Sequence, residues 1–194
     1  MDTSASLLES LRAGSGQESW DTLVRLYSPL IRGWLVRNGA PPNEIDDVVQ
    51  EVLVVVVRRV SEFKRQSHAG SFRGWLRQIA VNCLRDHWRR KGKQPTTPGG
   101  SDFRLVIDQL ADARSSISKL WDREHDEFVT KYLLEQVSQQ VSSTHWQAFQ
   151  RFVLDGLSAD EVAQELNMSA NAVFIAKSRV INKLRALGRG LIDV

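Results

Sequence analysis

Residues 158–187, SADEVAQELNMSANAVFIAKSRVINKLRAL, constrain the fold more than any other stretch, because two helix starts follow one another closely. Ser158 is spaced to cap a helix, and Glu161 three residues later completes an S-x-x-E capping box. Val162, Ala163 and Leu166 give that helix its apolar face, Asn167 and Met168 carry a turn, and Ser169 is placed to cap a second helix. On the second helix Val173, Ala176, Val180, Leu184 and Leu187 fall on one narrow arc at about 100° per residue. The opposite arc carries Asn171, Phe174, Ile175, Ser178, Asn182 and Arg185. From Ser169 to Gly190 there are five basic residues and no acidic one. A cationic amphipathic helix propped on a short one is the geometry that enters a DNA major groove. A plain helical hairpin at a chain end is the alternative.

Helical periodicity extends through nearly the whole chain, and strand signals are almost absent. Leu7, Leu8 and Leu11 suggest a short first helix ending near Gly14. A second is expected from about Gln17 to Asn38, with Trp20, Leu23, Val24, Tyr27, Leu30, Ile31, Trp34 and Leu35 inward and Pro29 kinking or dividing it. Asn43 is the expected cap of a helix through about Phe63, and Ser71 opens another to about Lys91. GKQPTTPGGSD at 92–102 marks a domain boundary, and Phe103 to Ser118 reads as weakly patterned and partly extended. Helices are then expected over Lys119–Ser142 and Thr144–Asp155, the latter stopped at Gly156. The fold class is all-α. Two small helical domains (1–92 and 125–194) are joined by a linker (93–124), and the second ends in the helix-turn-helix.

Charge narrows the partner. The net charge is only +3, yet residues 64–93 hold nine basic side chains against Asp86 alone, whereas residues 94–136 hold five basic against eight acidic. Such asymmetry points to a polyanion. The longest apolar run, Val52 to Val57, is far too short for a membrane span, and the N-terminus does not read as a secretory signal. The single cysteine, Cys83, excludes an intrachain disulfide and favours a reducing compartment. His68, His87, His125 and His145 stand apart in sequence, each read as a surface or partly packed side chain, so no metal or other cofactor is expected.

Two further segments bear on function. In SFRGWLRQIAVNCLRDHWRRKGK, Phe72, Trp75, Leu76, Ile79, Cys83 and His87 lie near one face, and Arg73, Arg77, Arg85 and Arg89 wind round the other. Arginines take phosphates bidentately, and Trp88, flanked by Arg89 and Arg90, is placed to stack on an unpaired base. The valine-rich helix is apolar all round at Val52–Val57, which is central to a bundle or partly an interface. With Asp47, Gln50 and Glu51 just before Val54, it reads as a polar rim beside an apolar patch, suited to docking a large protein.

DDVVQEVLVVV at 46–56, FRGWLRQIAVNCLRDHWRRK at 72–91 and the terminal helix-turn-helix, in that order, resemble bacterial sigma factors of the sigma-70 family, extracytoplasmic-function class. The resemblance covers about residues 15–92 and 125–187. It implies a promoter-specificity subunit without enzymatic activity, cytoplasmic and nucleoid-associated, acting as a monomer in the holoenzyme. Its implied partners are core RNA polymerase and promoter DNA; an anti-sigma factor is common in that family, and no residue here demands one. Asp47, Gln50, Glu51 and Val54 would dock on polymerase. The loop before Ser71 and the helix with Asn82, Arg85, Asp86, Arg89 and Arg90 would read and melt the minus-ten element, and Arg73, Arg77, Trp88 and Lys91 are further DNA-binding candidates on the same helix. Asn171, Phe174, Ile175, Lys177, Ser178, Arg179, Asn182 and Lys183 would read the minus-thirty-five element. The linker would thread toward the polymerase channels.

Two other classes are weaker. A conventional helix-turn-helix regulator dimerising on paired half-sites explains the C-terminal segment, but nothing in that reading requires the cationic 64–93 segment or the D-x-x-Q-E helix. A metal-dependent hydrolase built on Asp46, Asp47 and Glu51 lacks any further ligand at suitable spacing.

Overall fold

The computed structural model describes residues 7–14, 16–63, 71–90, 100–189 and 191–192. The 64–70 loop, Lys91 and the Gly/Pro-rich start of the expected linker lie outside the described residues. Among the described residues there are helices and turns but no strand: α1 (Leu7–Arg12), α2 (Gly16–Arg37), α3 (Ile45–Arg59), α4 (Ser71–Arg90), α5 (Gly100–Ala111), α6 (Ser116–Ser138), α7 (Ser143–Phe149), α8 (Ala159–Glu165) and α9 (Ala170–Gly188). Among these residues no helix is long and apolar enough to cross a membrane.

α2 buries Leu23, Leu26, Tyr27, Leu30, Ile31, Trp34 and Leu35. It runs on through Pro29 without division, because the proline ring faces outward and the buried side chains on either side hold both halves against the same core. Val24, expected inward, is 40% exposed. A 3-10 turn, Pro42–Glu44, leads into α3, whose N-cap is Glu44 without a side-chain cap. Asn43 therefore does not cap it; its amide instead donates to Glu44 Oε1 at 3.2 Å. The valine run is central, as Val48, Val49, Val52, Leu53 and Val56 are buried where α3 packs on α2 and α4. Val54 alone of 52–57 is exposed.

The largest departure from expectation lies at 100–138. The segment read as partly extended is helix α5, because Phe103, Ile107 and Leu110 recur at helical spacing and are buried against α4 and α6. Ser115 caps α6, its hydroxyl accepting from the Ser118 amide at 3.0 Å. α6 then runs through position 124, where the linker was expected to end, and buries Ser118, Trp121, His125, Val129, Leu133 and Val137 in one stripe. That stripe meets α2, α4, α5 and α9. At its centre the Tyr27 hydroxyl lies 3.4 Å from His125 Nε2, and His125 Nδ1 lies 3.0 Å from Asp126. Burial, with the Asp126 charge adding to it, raises the Tyr27 pKa far above its ordinary value. Trp34 and Trp121 meet edge to face at 5.2 Å, each with a buried indole N–H lacking a hydrogen-bond partner. Such a donor costs about 1–3 kcal/mol, so the α2–α6 contact is weaker than its apolar area suggests. A second, small core of Ala148, Val162, Val173 and Ala176 holds α7, α8 and α9 together.

Candidate nucleic-acid interface

Phe72, Leu76, Ile79, Ala80, Val81, Cys83, Leu84 and His87 of α4 are buried, which leaves Arg85, Arg89 and Arg90 exposed and Arg73 and Arg77 half-buried against α6. Most of these arginines already hold a carboxylate. Arg73 Nη1 meets Asp126 at 2.7 Å and Arg77 Nη1 meets Asp122 at 2.6 Å, both from α6. Arg85 Nη2 meets Asp108 of α5 at 2.8 Å, and Arg89 meets Asp86 of its own helix at 2.9 Å. The Trp88 ring packs 5.4 Å from Phe103 of α5 and 5.1 Å from His87, so in this state its neighbours are protein rings.

What stays open is the groove between α3 and α4. It is a cleft of about 540 Å³ floored by Val55, Ile79 and Cys83 and rimmed by Arg58, Arg59, Asn82, Arg85, Asp86 and Arg89. Four guanidinium groups round an apolar floor suit phosphates at the rim and planar groups within. Arg58 and Arg59 were missed in the sequence; the available signal was two arginines in the last turn of a helix that must pack on α4. Gln78 donates to Asn82 at 3.0 Å, which orients the Asn82 amide at the mouth. Burial first, then the charges of Glu51 and Asp86, push the Cys83 thiol up to about 11, so it is an inert floor residue rather than a nucleophile.

The expected docking edge on α3 divides in two. Asp47, Gln50 and Val54 are exposed and lie on one stripe. Glu51 is turned inward and shared, with Oε1 3.2 Å from His87 Nδ1 and Oε2 2.6 Å from Arg90 Nη2. His87 Nε2 lies 2.7 Å from Glu44, so this wholly buried histidine ties the start of α3 to the end of α4. Asp46 pairs with Arg32. Among the described residues no group of three or more His, Cys, Asp or Glu side chains is arranged to hold a metal ion.

At the other end of the chain, the Ser158–Glu161 capping box is formed in both directions, at 2.8 Å and 3.3 Å. The Ser158 hydroxyl, then its backbone N–H, hold the Glu161 carboxyl below its usual range. Asn167 turns the chain at φ +50°, and Ser169 caps α9 through the Ala172 amide at 3.1 Å. Val173, Ala176, Val180 and Leu184 are buried, leaving Asn171, Phe174, Ile175, Ser178, Arg179 and Asn182 exposed, with Lys177 and Lys183 half-buried at the flanks.

A family model, Sigma-70 region 2, matches residues 23–94, the stretch holding α2, α3 and α4. The RNA polymerase sigma-H factor of Pseudomonas aeruginosa is 24% identical over 189 residues, covering 95% of this chain and 92% of that protein. The ECF RNA polymerase sigma-E factor of Escherichia coli strain K12 is 25% identical over 190 residues, covering 94% and 95%. That of Haemophilus influenzae reaches 31% over 93 residues, about half of each chain. Residues 23–94 belong to the Sigma-70 region 2 family, and nearly the whole chain is similar to RNA polymerase sigma factors.

The cleft and the α3 stripe both fall in the region 2 match. They sit side by side on one helix pair, while the capped α8–α9 unit is carried separately on α6 and α7. Of the proposed DNA-facing residues, the structure gathers Asn82, Arg85, Asp86 and Arg89 at one mouth. It separates from them Arg73 and Arg77, held by α6, and Trp88, held by α5.

Proposed function

We propose that this protein binds core RNA polymerase and directs it to promoters, acting on DNA by binding rather than by catalysis. The observation that carries the reading is the arginine-rimmed cleft with Asn82 at its mouth, immediately beside an exposed Asp47–Gln50–Val54 stripe. The stripe is the docking edge for polymerase. The cleft takes the separated strand of the minus-ten element, with Arg58, Arg59, Arg85 and Arg89 on phosphates and the apolar floor under an unstacked base. The outer face of α9, capped at Ser169 and flanked by Lys177, Arg179 and Lys183, reads the upstream element as duplex. One copy serves each holoenzyme, because two unlike surfaces of one chain read two unlike elements. The setting is the cytoplasm, on chromosomal DNA.

The test is reconstitution with core polymerase and run-off transcription from a promoter library. Parent protein is expected to assemble and initiate. Asp47→Arg with Gln50→Ala is expected to fold normally by circular dichroism and fail to assemble. Arg58→Glu with Arg89→Glu is expected to assemble, yet leave the duplex closed to permanganate footprinting. Normal assembly by the first variant, or normal opening by the second, refutes the corresponding assignment.

A further inference from the structure

The outer face of α9 carries two side chains that do not fit an ordinary phosphate-binding surface. Phe174 is 49% exposed and Ile175 is 42% exposed, side by side in the second turn of the helix. With Asn171, Ser178 and Asn182 they form one line along the helix, at spacings of three, four and seven residues. Phe174 is held in place: its ring meets Phe152 edge-on at 5.4 Å and 86°, and the Lys177 ammonium sits over the Phe152 ring at 5.3 Å. An exposed aromatic fixed in this way presents a preformed apolar surface rather than a side chain free to fold back onto the protein.

The structure assigns Phe174 and Ile175 as the thymine readers of this sigma factor, recognising the 5-methyl groups of thymines in the major groove of the upstream element. The assignment rests on the proposed role of α9 as the duplex reader. The chemistry leaves few choices. In the major groove guanine offers N7 and O6, adenine N7 and N6, and cytosine N4, all polar groups that an apolar pair would strip of water without replacing their hydrogen bonds. Thymine alone of the four bases offers a methyl group there. Charge fits a duplex ligand: Ser169–Gly190 contains five basic residues and no acidic one, with Lys177, Arg179 and Lys183 set to take the flanking phosphates. Asn171 and Asn182 bracket the apolar pair and supply polar contacts on either side.

The test uses holoenzyme and a pool of promoter duplexes randomised across a ten-base-pair upstream window. Enriched sequences are then resynthesised with deoxyuridine replacing thymidine one position at a time, which removes a methyl group and leaves every hydrogen-bonding group in place. The expected result is a loss of about fourfold in affinity at one or two adjacent thymines, the equivalent of about 0.8 kcal/mol for one buried carbon. Phe174→Ala with Ile175→Ala should bring the thymine-to-uracil ratio close to one, with the salt dependence of binding unchanged. Phe174→Leu should retain most of the ratio. Equal binding of thymine and uracil duplexes by the parent overturns the assignment, as does an unchanged ratio in the double alanine variant. A folded double variant that no longer assembles with core polymerase also overturns it, and makes the pair a protein-docking surface. Initiation without any upstream preference overturns it while leaving the sigma-factor reading intact. Failure of parent holoenzyme to initiate at all removes the reading on which it rests.

Discussion

Replacing Asp122 and Asp126 together by asparagine should destabilise the free protein and at the same time strengthen its grip on nucleic acid. Both carboxylates sit on α6, and both are held by Arg73 and Arg77, which lie outside the cleft but were expected from the sequence to face DNA. The Arg73 and Arg77 side chains are 19% and 11% exposed, and Asp122 and Asp126 are 30% and 38% exposed. These pairs therefore lie between the solvent-exposed case, worth about 0–1 kcal/mol, and the buried case, where removing one partner costs about 3–5 kcal/mol. Asparagine keeps one oxygen as an acceptor, so about 1–1.5 kcal/mol per pair, or about 2–3 kcal/mol in total, is the expected loss. For a chain of this size that lowers Tm by about 5–10 °C. A strand binding α4 in the parent must displace the same carboxylates. Freed of that competition, the variant should bind a fluorescent single-stranded oligonucleotide up to about 30- to 160-fold more tightly at fixed salt. With the same phosphates contacted in both complexes, the salt dependence of binding should be unchanged. Anisotropy titrations across a salt series, beside thermal melts of the same preparations, measure both effects. A fall in Tm with affinity unchanged would refute the competition, and would mean that Arg73 and Arg77 serve the fold alone.

Three smaller tests address individual side chains. Ser169→Ala removes the cap of α9 and should cost about 1 kcal/mol, read as a lower denaturation midpoint and faster amide exchange at Ala172, close to Asn171 and Phe174. Ser158→Ala should return the Glu161 carboxyl toward its ordinary value of 4.5, followed by NMR titration of its side-chain carbon. Because that pKa is depressed in the fold, the stabilisation is present above the ordinary value and is lost as pH falls through the folded one, a sensitivity the variant should show in reduced form, since the residue 158 backbone N–H still donates to Glu161. Cys83 should react slowly with a thiol reagent at pH 8 until the protein is unfolded. Between its ordinary pKa of 9.0 and the folded value of about 11 the unfolded thiol is ionised while the folded one is not, so stability should fall as pH rises through that window. Cys83→Ala should flatten the decline.

What the sequence disclosed and what it withheld differ in the distance over which the information is carried. The α9 unit was legible because each of its signals is local: a cap bonded three residues ahead, a turn at Asn167, and an apolar stripe repeating every three or four residues. α5 was missed because only Phe103, Ile107 and Leu110 mark its buried face, and the glycines at its start suggest a break. The masking of α4 was illegible for a different reason. Arg77 and Asp122 are 45 residues apart, Arg73 and Asp126 are 53 apart, and the charge pattern alone showed two cationic zones with an acidic one between them. The same pattern suits a chain whose acidic stretch merely keeps its arms apart and a chain whose acidic stretch folds onto one of them. Packing decides between these, through the α6 stripe that buries Trp121, His125 and Val129 and so turns Asp122 and Asp126 toward α4. The two surfaces proposed to face DNA are consequently unequal in the free protein. The outer face of α9 is open, whereas Arg73, Arg77 and Arg85 on α4 already hold carboxylates. On the proposed function, duplex recognition upstream can then precede strand capture, which must first exchange the Asp108 carboxylate on Arg85 for a phosphate.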